Sequence, residues 1–237
     1  METLYDKNGL VFWNEAEIRV RQTMVDHFKS NVFGSLKTQN RAWEFVQVEA
    51  PLLMPAEWMN QQYLEDDSAF RIRDESLDLA LRPETTYGSY VAARRLLETH
   101  SGYRLPLCVW QHGKSFRAEQ DQPSKHMRLK EFYQLEFQCI YALGTMCDYS
   151  LKVIPAVRQC IAEFIGPCRV EASDRIPAYA EWTQDIVCEK TNMEVCSISL
   201  RKDYRHTEEN GQLCDAHVLE VAIGTDRCVY NFFQKDT

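Results

Sequence analysis

No stretch of this chain approaches the roughly 18 consecutive apolar residues that a membrane-spanning helix needs. Its opening, Met-Glu-Thr-Leu-Tyr-Asp-Lys, lacks the basic and then apolar run of a secretory signal, so the expected setting is cytoplasmic, with no membrane partner. None of its nine cysteines forms a Cys-x2-Cys pair, which argues against a zinc knuckle, and no zinc is expected. An odd cysteine count without an export signal points to reduced, mostly buried thiols. Positive charge is in deficit: 27 Lys and Arg against 35 Asp and Glu leave a net charge of −8. The chain therefore has no general attraction to nucleic acid, and any RNA contact must come from a local patch. Arg94, Arg95, Arg104, Lys125, Arg128 and Lys130 are the candidates, each equally suited to ordinary surface duty. Internal repeats and low-complexity linkers are also absent.

What remains is the composition of an ordinary globular protein, 45% hydrophobic and 26% charged over 237 residues. That length makes one large domain or two small ones, and it can bury about 70% of its unfolded surface.

The chain is organised around the stretch Lys114 to Glu136. Leu107 to Phe116 is rich in apolar, aromatic and β-branched residues and reads as a strand. Phe132 to Tyr141 alternates, with Phe132, Gln134, Glu136 and Gln138 on one face and Tyr133, Leu135, Phe137 and Cys139 on the other. Pro123 and Ser124 mark a loop between them. The result is a long antiparallel hairpin that gathers Arg117, Glu119, Arg128, Lys130, Glu131 and Glu136. Charges of both signs beside an aromatic ring suit a nucleotide, because arginine binds phosphate and a ring stacks on a base. A solvated charged hairpin is the plainer alternative.

Around this centre the pattern predicts a helix over 15–30, capped by Asn14, with a stripe of Ile18, Val20, Met24, Val25, Phe28 and Val32. A strand over 45–50 ends at Pro51, and a helix with a loop follows over 52–67. Segments 70–73 and 77–82 form a hairpin, after which Pro83 breaks the strand and Thr85 can cap a helix running to Leu97. Residues 148–165 read as a helix, with strands near 183–188 and 194–200. A last strand, 216–223, meets Gly224 and a helix holding Cys228, Val229, Tyr230 and Phe232.

Phe116-Arg117-Ala118-Glu119, a loop, then Arg128-x-x-Glu131-Phe132 resembles motif 2 of the class II aminoacyl-tRNA synthetases. The first helix with its proline-ended strand is similar to motif 1, and the last strand, Gly224-x-x-Arg227 and helix are similar to motif 3. Arg82-Pro83-Glu84-Thr85 and Glu194-x6-Arg201-x-Asp203-Tyr204 look like glycyl-tRNA synthetase within that class. Three positions depart from it: Ser197 replaces a glycine, and Val221-Ala222 replaces Pro-Ser after Glu220, removing a hydroxyl. The resemblance implies an α+β fold, an antiparallel sheet flanked by helices in a single domain over 1–237. Motif 1 would lie at about 15–51, motif 2 at 107–141 and motif 3 at 216–234. With ten residues after Arg227, no anticodon-binding domain is expected.

The resemblance also implies roles. Arg117 would bind the α-phosphate of ATP and the amino-acid carboxylate, Phe132 would stack under adenine, and Arg227 would cover its other face and reach the γ-phosphate. Glu119 would contact adenine and Arg128 the outer phosphates. Mg²⁺ would accompany ATP, with Glu194 as a candidate ligand or simply a solvated carboxylate. Glu84, Glu136 and Glu220 would hold the ammonium of the amino acid, glycine by this resemblance, with Ala222 beside them. The partners would be ATP, the amino acid and a tRNA acceptor end, and the assembly a homodimer through motif 1. Two alternatives stay open: an enzyme passing the activated amino acid to a carrier protein or small molecule, and a non-catalytic synthetase-like accessory subunit.

Overall fold

The structure, a computed structural model, describes residues 4–6, 9–59, 63, 65, 68–73, 78–99, 102–118, 127–145, 147–174, 176–207 and 211–234. A short hairpin, β1 (Leu4–Asp6) and β2 (Leu10–Phe12), leads into helix α1 (Glu15–Gln39). A reciprocal cap starts α1: Asn14 Oδ1 accepts from the Glu17 amide at 3.1 Å, and Glu17 accepts from the Asn14 amide at 2.8 Å. The helix runs nine residues past its expected end at Ser30, because Leu36 continues the buried stripe of Met24, Val25, Phe28 and Val32. The poor helix formers in that last stretch are accommodated locally. Ser30, Asn31, Ser35 and Thr38 all turn their polar ends back onto carbonyls three or four residues earlier.

The main sheet has seven strands in the order β3-β7-β8-β12-β11-β10-β9. They are β3 (Glu44–Gln47), β7 (Leu107–Phe116), β8 (Glu131–Ala142), β9 (Cys168–Ala172), β10 (Ala180–Cys188), β11 (Met193–Thr207) and β12 (Leu213–Gly224). All neighbours pair antiparallel except β3, which lies parallel to β7 at the edge, so the sheet is mixed by one strand. Strand β9 was not anticipated from the sequence, and β11 runs on through the Arg201-Lys202-Asp203-Tyr204 stretch. A second sheet of three short strands orders β4 (Leu53–Pro55), β6 (Asp78–Leu81) and β5 (Arg71–Arg73). The β5–β6 pairing is the expected hairpin, whose tip over 74–77 lies outside the described residues. The helix expected within 52–67 is not formed over 52–59. Pro51 precedes β4 and Pro55 ends it, and a single 3₁₀ turn (Ala56–Trp58) follows.

Strand alternation divides the sheet into two unlike faces. On one face Leu135, Phe137 and Cys139 of β8, Ile198 of β11 and Leu219, Val221 and Ile223 of β12 meet α1, α3 (Ser150–Ile165) and α4 (Thr225–Gln234) in the main core. On the other face α2 (Thr86–Glu98) covers one end, packing Tyr90, Ala93 and Leu97 on Leu107, Val109, Ile140, Tyr204 and Val218. The nine cysteines are all free, seven of them buried, and Cys108 and Cys139 meet across β7 and β8 with sulfurs 3.7 Å apart. No helix among the described residues is long and apolar enough to cross a membrane.

Candidate functional site

Beyond α2 the second sheet face carries polar side chains at alternate positions: Gln134, Glu136 and Gln138 on β8, Glu220 on β12, and Ser197, Ser199 and Arg201 on β11. This polar floor and the β7–β8 hairpin bound a cavity of about 830 Å³. Glu84, Arg117, Arg128, Phe132, Glu136, Glu194, Glu220, Ala222 and Arg227 all line it, so nine of the ten site residues expected from sequence share one cavity. Glu119, the tenth, lies outside the described residues.

One end of the cavity concentrates negative charge. Glu84, Glu136 and Glu220 are all buried there. The Thr86 hydroxyl lies 2.8 Å from Glu220 Oε2 and 3.3 Å from Glu136 Oε2, and Gln138 Nε2 donates to Glu220 at 2.8 Å. Thr85 stands at the head of α2 as expected but does not cap it with its side chain. Its hydroxyl donates instead to Glu136 at 2.5 Å, because a buried carboxylate is the stronger acceptor. Burial, followed by the nearby charges of Glu220 and Glu84, pushes the Glu136 carboxyl up to about 7. Glu84 is raised too, by burial first; Arg201 opposes the rise and Glu220 adds to it.

Arg201 is the counterion, and it was not among the expected site residues. It is fully buried, with Nη1 2.8 Å from Glu220 and Nη2 2.7 Å from Asp203. Tyr179 covers it, the ring centroid 3.8 Å from the guanidinium carbon. Burial acts to lower its pKa, but Glu220, Tyr90 and Glu84 outweigh that and raise it, so the charge is permanent. The signal was present in the Glu194-x6-Arg201-x-Asp203-Tyr204 pattern. What sequence could not give was the facing of Arg201 toward Glu220 on the adjacent strand. Tyr63 was also missed: its hydroxyl donates to Glu84 Oε2 at 2.8 Å and accepts from Arg117 Nη2 at 3.3 Å.

The other end carries cations and an aromatic ring. Arg117 Nε donates to the Pro83 carbonyl at 3.1 Å, and its guanidinium carbon lies 5.3 Å from the Phe132 ring centroid. Arg227, on the first turn of α4, donates to the Glu194 carbonyl at 2.8 Å, with the Glu194 carboxylate 3.9 Å away. Burial raises the Glu194 carboxyl, Arg227 opposes that and Asp185 adds to it. Among the described residues no group of three or more His, Cys, Asp or Glu side chains is arranged so that it could hold a metal ion. Glu194 and Asp185, on neighbouring strands, line the cavity together with Glu171, Asp174 and Asp226.

Two buried arginines hold the frame. Arg82 donates to the carbonyls of Lys114 and Ala50 and to Gln111 Oε1, at 2.8, 2.8 and 3.0 Å, tying β7 to the segment after β3. Gly113 makes room for it, since a Cβ there would stand 2.3 Å from Arg82 Nη2. Arg21 of α1 pairs with Asp226 at 3.0 Å, and Asp226 also accepts from the Tyr133 amide at 2.9 Å.

Seven strands with one parallel edge, a β7–β8 hairpin over a polar cavity and a terminal strand–glycine–helix unit define the catalytic-core fold of the class II aminoacyl-tRNA synthetases. The fold match is direct. Prolyl-tRNA synthetase from Cryptosporidium parvum, solved in complex with halofuginone and AMPPNP, superposes with a TM-score of 0.72 over 97% of this chain and 48% of that one, at 15% identity. By sequence the chain is similar to glycine–tRNA ligases. It is 26% identical to that of Mycoplasma mycoides subsp. mycoides over 88% of this chain and 48% of the relative. It is 27% identical to that of Mycoplasma capricolum subsp. capricolum over 73% of this chain and 41% of the relative. Against the Drosophila melanogaster enzyme, 75 residues are 41% identical, covering 32% of this chain and 9% of the relative. The chain thus spans about half the length, or less, of the curated relatives it matches. No family model matches it.

Proposed function

We propose that this chain is a class II catalytic domain over 1–237 that activates an amino acid, glycine, with ATP and passes it to the acceptor end of a tRNA. The observation that carries the reading is the charge gathered in one cavity: three buried carboxylates line it with Arg117, Arg128, Arg227 and the Phe132 ring, and the Tyr63 hydroxyl links Glu84 to Arg117. An amino acid and ATP have complementary polarity. Its ammonium seats among Glu84, Glu136 and Glu220, which points its carboxylate toward Arg117. One carboxylate oxygen attacks the α-phosphorus, the bond to the bridging oxygen of pyrophosphate breaks, and an aminoacyl-adenylate forms. Arg117 holds both anions in line and takes up the charge of the transition state, and Arg227 and Arg128 balance the leaving pyrophosphate. Phe132 supplies the adenine platform. Ala222, on the floor between the strands of Glu136 and Ser197, leaves the ammonium end without the extra hydroxyl.

Mg²⁺ bound to the phosphates would neutralise the departing charge. Glu194 and Asp185 would hold it, a donor set that fits an ion taking most ligands from phosphate and water. The free thiols agree with a cytoplasmic setting. The pairing face of a homodimer is assigned to the α1–β3 region, where β3 is the last strand of the sheet.

The test is ATP–pyrophosphate exchange with each standard amino acid. Exchange with glycine alone supports the reading. Exchange with a different small amino acid keeps the class and overturns glycine. No exchange, in folded protein that binds ATP, overturns amino-acid activation.

A further inference from the structure

We infer that Tyr63 and Tyr179 form the roof that sets the size limit of the amino-acid pocket, a selection device resting on the function proposed above. The floor cannot set that limit. Ala222 stands opposite Glu136 on β8 and Ser197 on β11, so that row presents only a methyl and a small hydroxymethyl group beside the carboxylates. Exclusion of larger amino acids must come from above.

One atom marks where the ammonium seats. Glu84 Oε1 is buried and has no hydrogen-bond partner among the described residues. The nearest cation is Arg201 Nη1 at 3.8 Å, too far for a hydrogen bond and already engaged by Glu220. A buried carboxylate oxygen left in this state has a vacant acceptor position that an ammonium fills. One phenol bonds this carboxylate and the other covers the arginine beside it. Tyr63 is bonded to its other oxygen at 2.8 Å, and Tyr179 lies over Arg201, its ring centroid 3.8 Å from the guanidinium carbon. An amino acid anchored at Glu84 carries its Cα one bond from the ammonium, so a side chain there must enter the space beneath these rings.

A roof excludes only if it does not yield. The Tyr63 hydroxyl is fastened between Glu84 and Arg117, at 2.8 and 3.3 Å. Tyr179 is fixed through its backbone. Its carbonyl accepts from the Lys202 amide at 3.0 Å, and the turn beneath it is closed by the Ala180 amide on the Pro177 carbonyl at 3.0 Å. Tyr63 is therefore tied by its polar tip and Tyr179 by its stem.

The experiment compares glycine, L-alanine and L-serine in ATP–pyrophosphate exchange, and in calorimetric binding without ATP, for the full chain and for Tyr179→Ala, Tyr63→Ala and Tyr179→Phe. The wild type prefers glycine. Tyr179→Ala should lower the glycine-to-alanine ratio of kcat/KM at least tenfold, within the range that one methyl group governs in a closed pocket. Tyr179→Phe, which keeps the ring, should restore the ratio. Tyr63→Ala gives the same reading should the Tyr179 variant not fold. An unchanged ratio in a folded alanine variant overturns the roof while leaving glycine activation standing. If the wild type shows no exchange, the proposed function fails. The roof is then judged on binding, where tighter glycine than alanine binding that Tyr179→Ala abolishes supports it and equal binding overturns it.

Discussion

Arg21 and Asp226 stand 205 positions apart in the chain and 3.0 Å apart in space. Their buried pair fastens the helix that opens the fold to the first turn of the helix that closes it, one residue before Arg227. Burial holds the Asp226 carboxyl up at about 6, although the Tyr133 amide and Arg21 both act to lower it. Arg21→Ala should therefore cost about 3 kcal/mol at pH 8, where a buried carboxylate loses its partner. At pH 5, where Asp226 already carries a proton in the folded protein, the cost should be clearly smaller. Urea denaturation at both pH values measures the difference, and equal losses would show that Asp226 does not change its ionisation between pH 5 and pH 8.

Glu136 makes stability depend on pH in a specific direction. Its folded value of about 7 lies above the ordinary 4.5, so between these values the folded chain holds a proton that the unfolded chain has released. Stability from this group is then present at low pH and lost as pH rises through 7. Thermal melts across that range should show the wild type declining relative to Glu136→Gln. Binding of an ammonium should also displace this proton. Calorimetry at pH 7 in buffers of different ionisation enthalpy should detect net proton release with glycine, absent in the variant.

Gly113→Ala should destabilise the protein by about 1–3 kcal/mol, as overpacking in a filled interior does. The Arg82 fork that a new Cβ would strike is held by Lys114, Ala50 and Gln111 and has little freedom to retreat. Chemical denaturation reads the loss; a melting curve unchanged from wild type would mean that the fork shifts at no cost.

Arg117→Ala should lower the exchange rate by about a hundredfold or more, the usual cost of removing a group that stabilises transition-state charge. Far-ultraviolet circular dichroism should be unchanged. Arg227→Ala should act mainly on the KM for ATP, and a variant with normal ATP affinity would detach α4 from the nucleotide.

The sequence was most legible where period and chemistry agreed. The alternation of β8 correctly separated Gln134, Glu136 and Gln138 from Leu135, Phe137 and Cys139, because a half-buried strand repeats every two residues. It was least legible where distant residues decide. Residues 31–39 hold weak helix formers in Asn31, Gly34, Ser35 and Thr38, and their helical state depends on Val32 and Leu36 finding the core and on side chains bonding backward. Thr85 reads as a cap until Glu136, 51 positions away, takes its hydroxyl. Strand β9 is short, edge-placed and defined by β10 alone. Arg201 could be read as part of a pattern, but its role as counterion follows from pairing β11 with β12, a register that no local period encodes.

The buried sulfurs give the molecule a built-in record of its own opening. Burial first, with minor help from neighbouring charges, pushes the thiols of Cys160 and Cys168 up to about 12, and Cys196 and Cys228 are raised as well. At neutral pH such groups hold almost no thiolate and are shut away from solvent, so an alkylating reagent finds them only when the chain around them parts. Each cysteine then acts as a local clock. Cys108 and Cys139 keep time for the central hairpin, Cys160 for the long helix behind it, and Cys228 for the last helix. The order in which they acquire label is the order in which the protein comes apart.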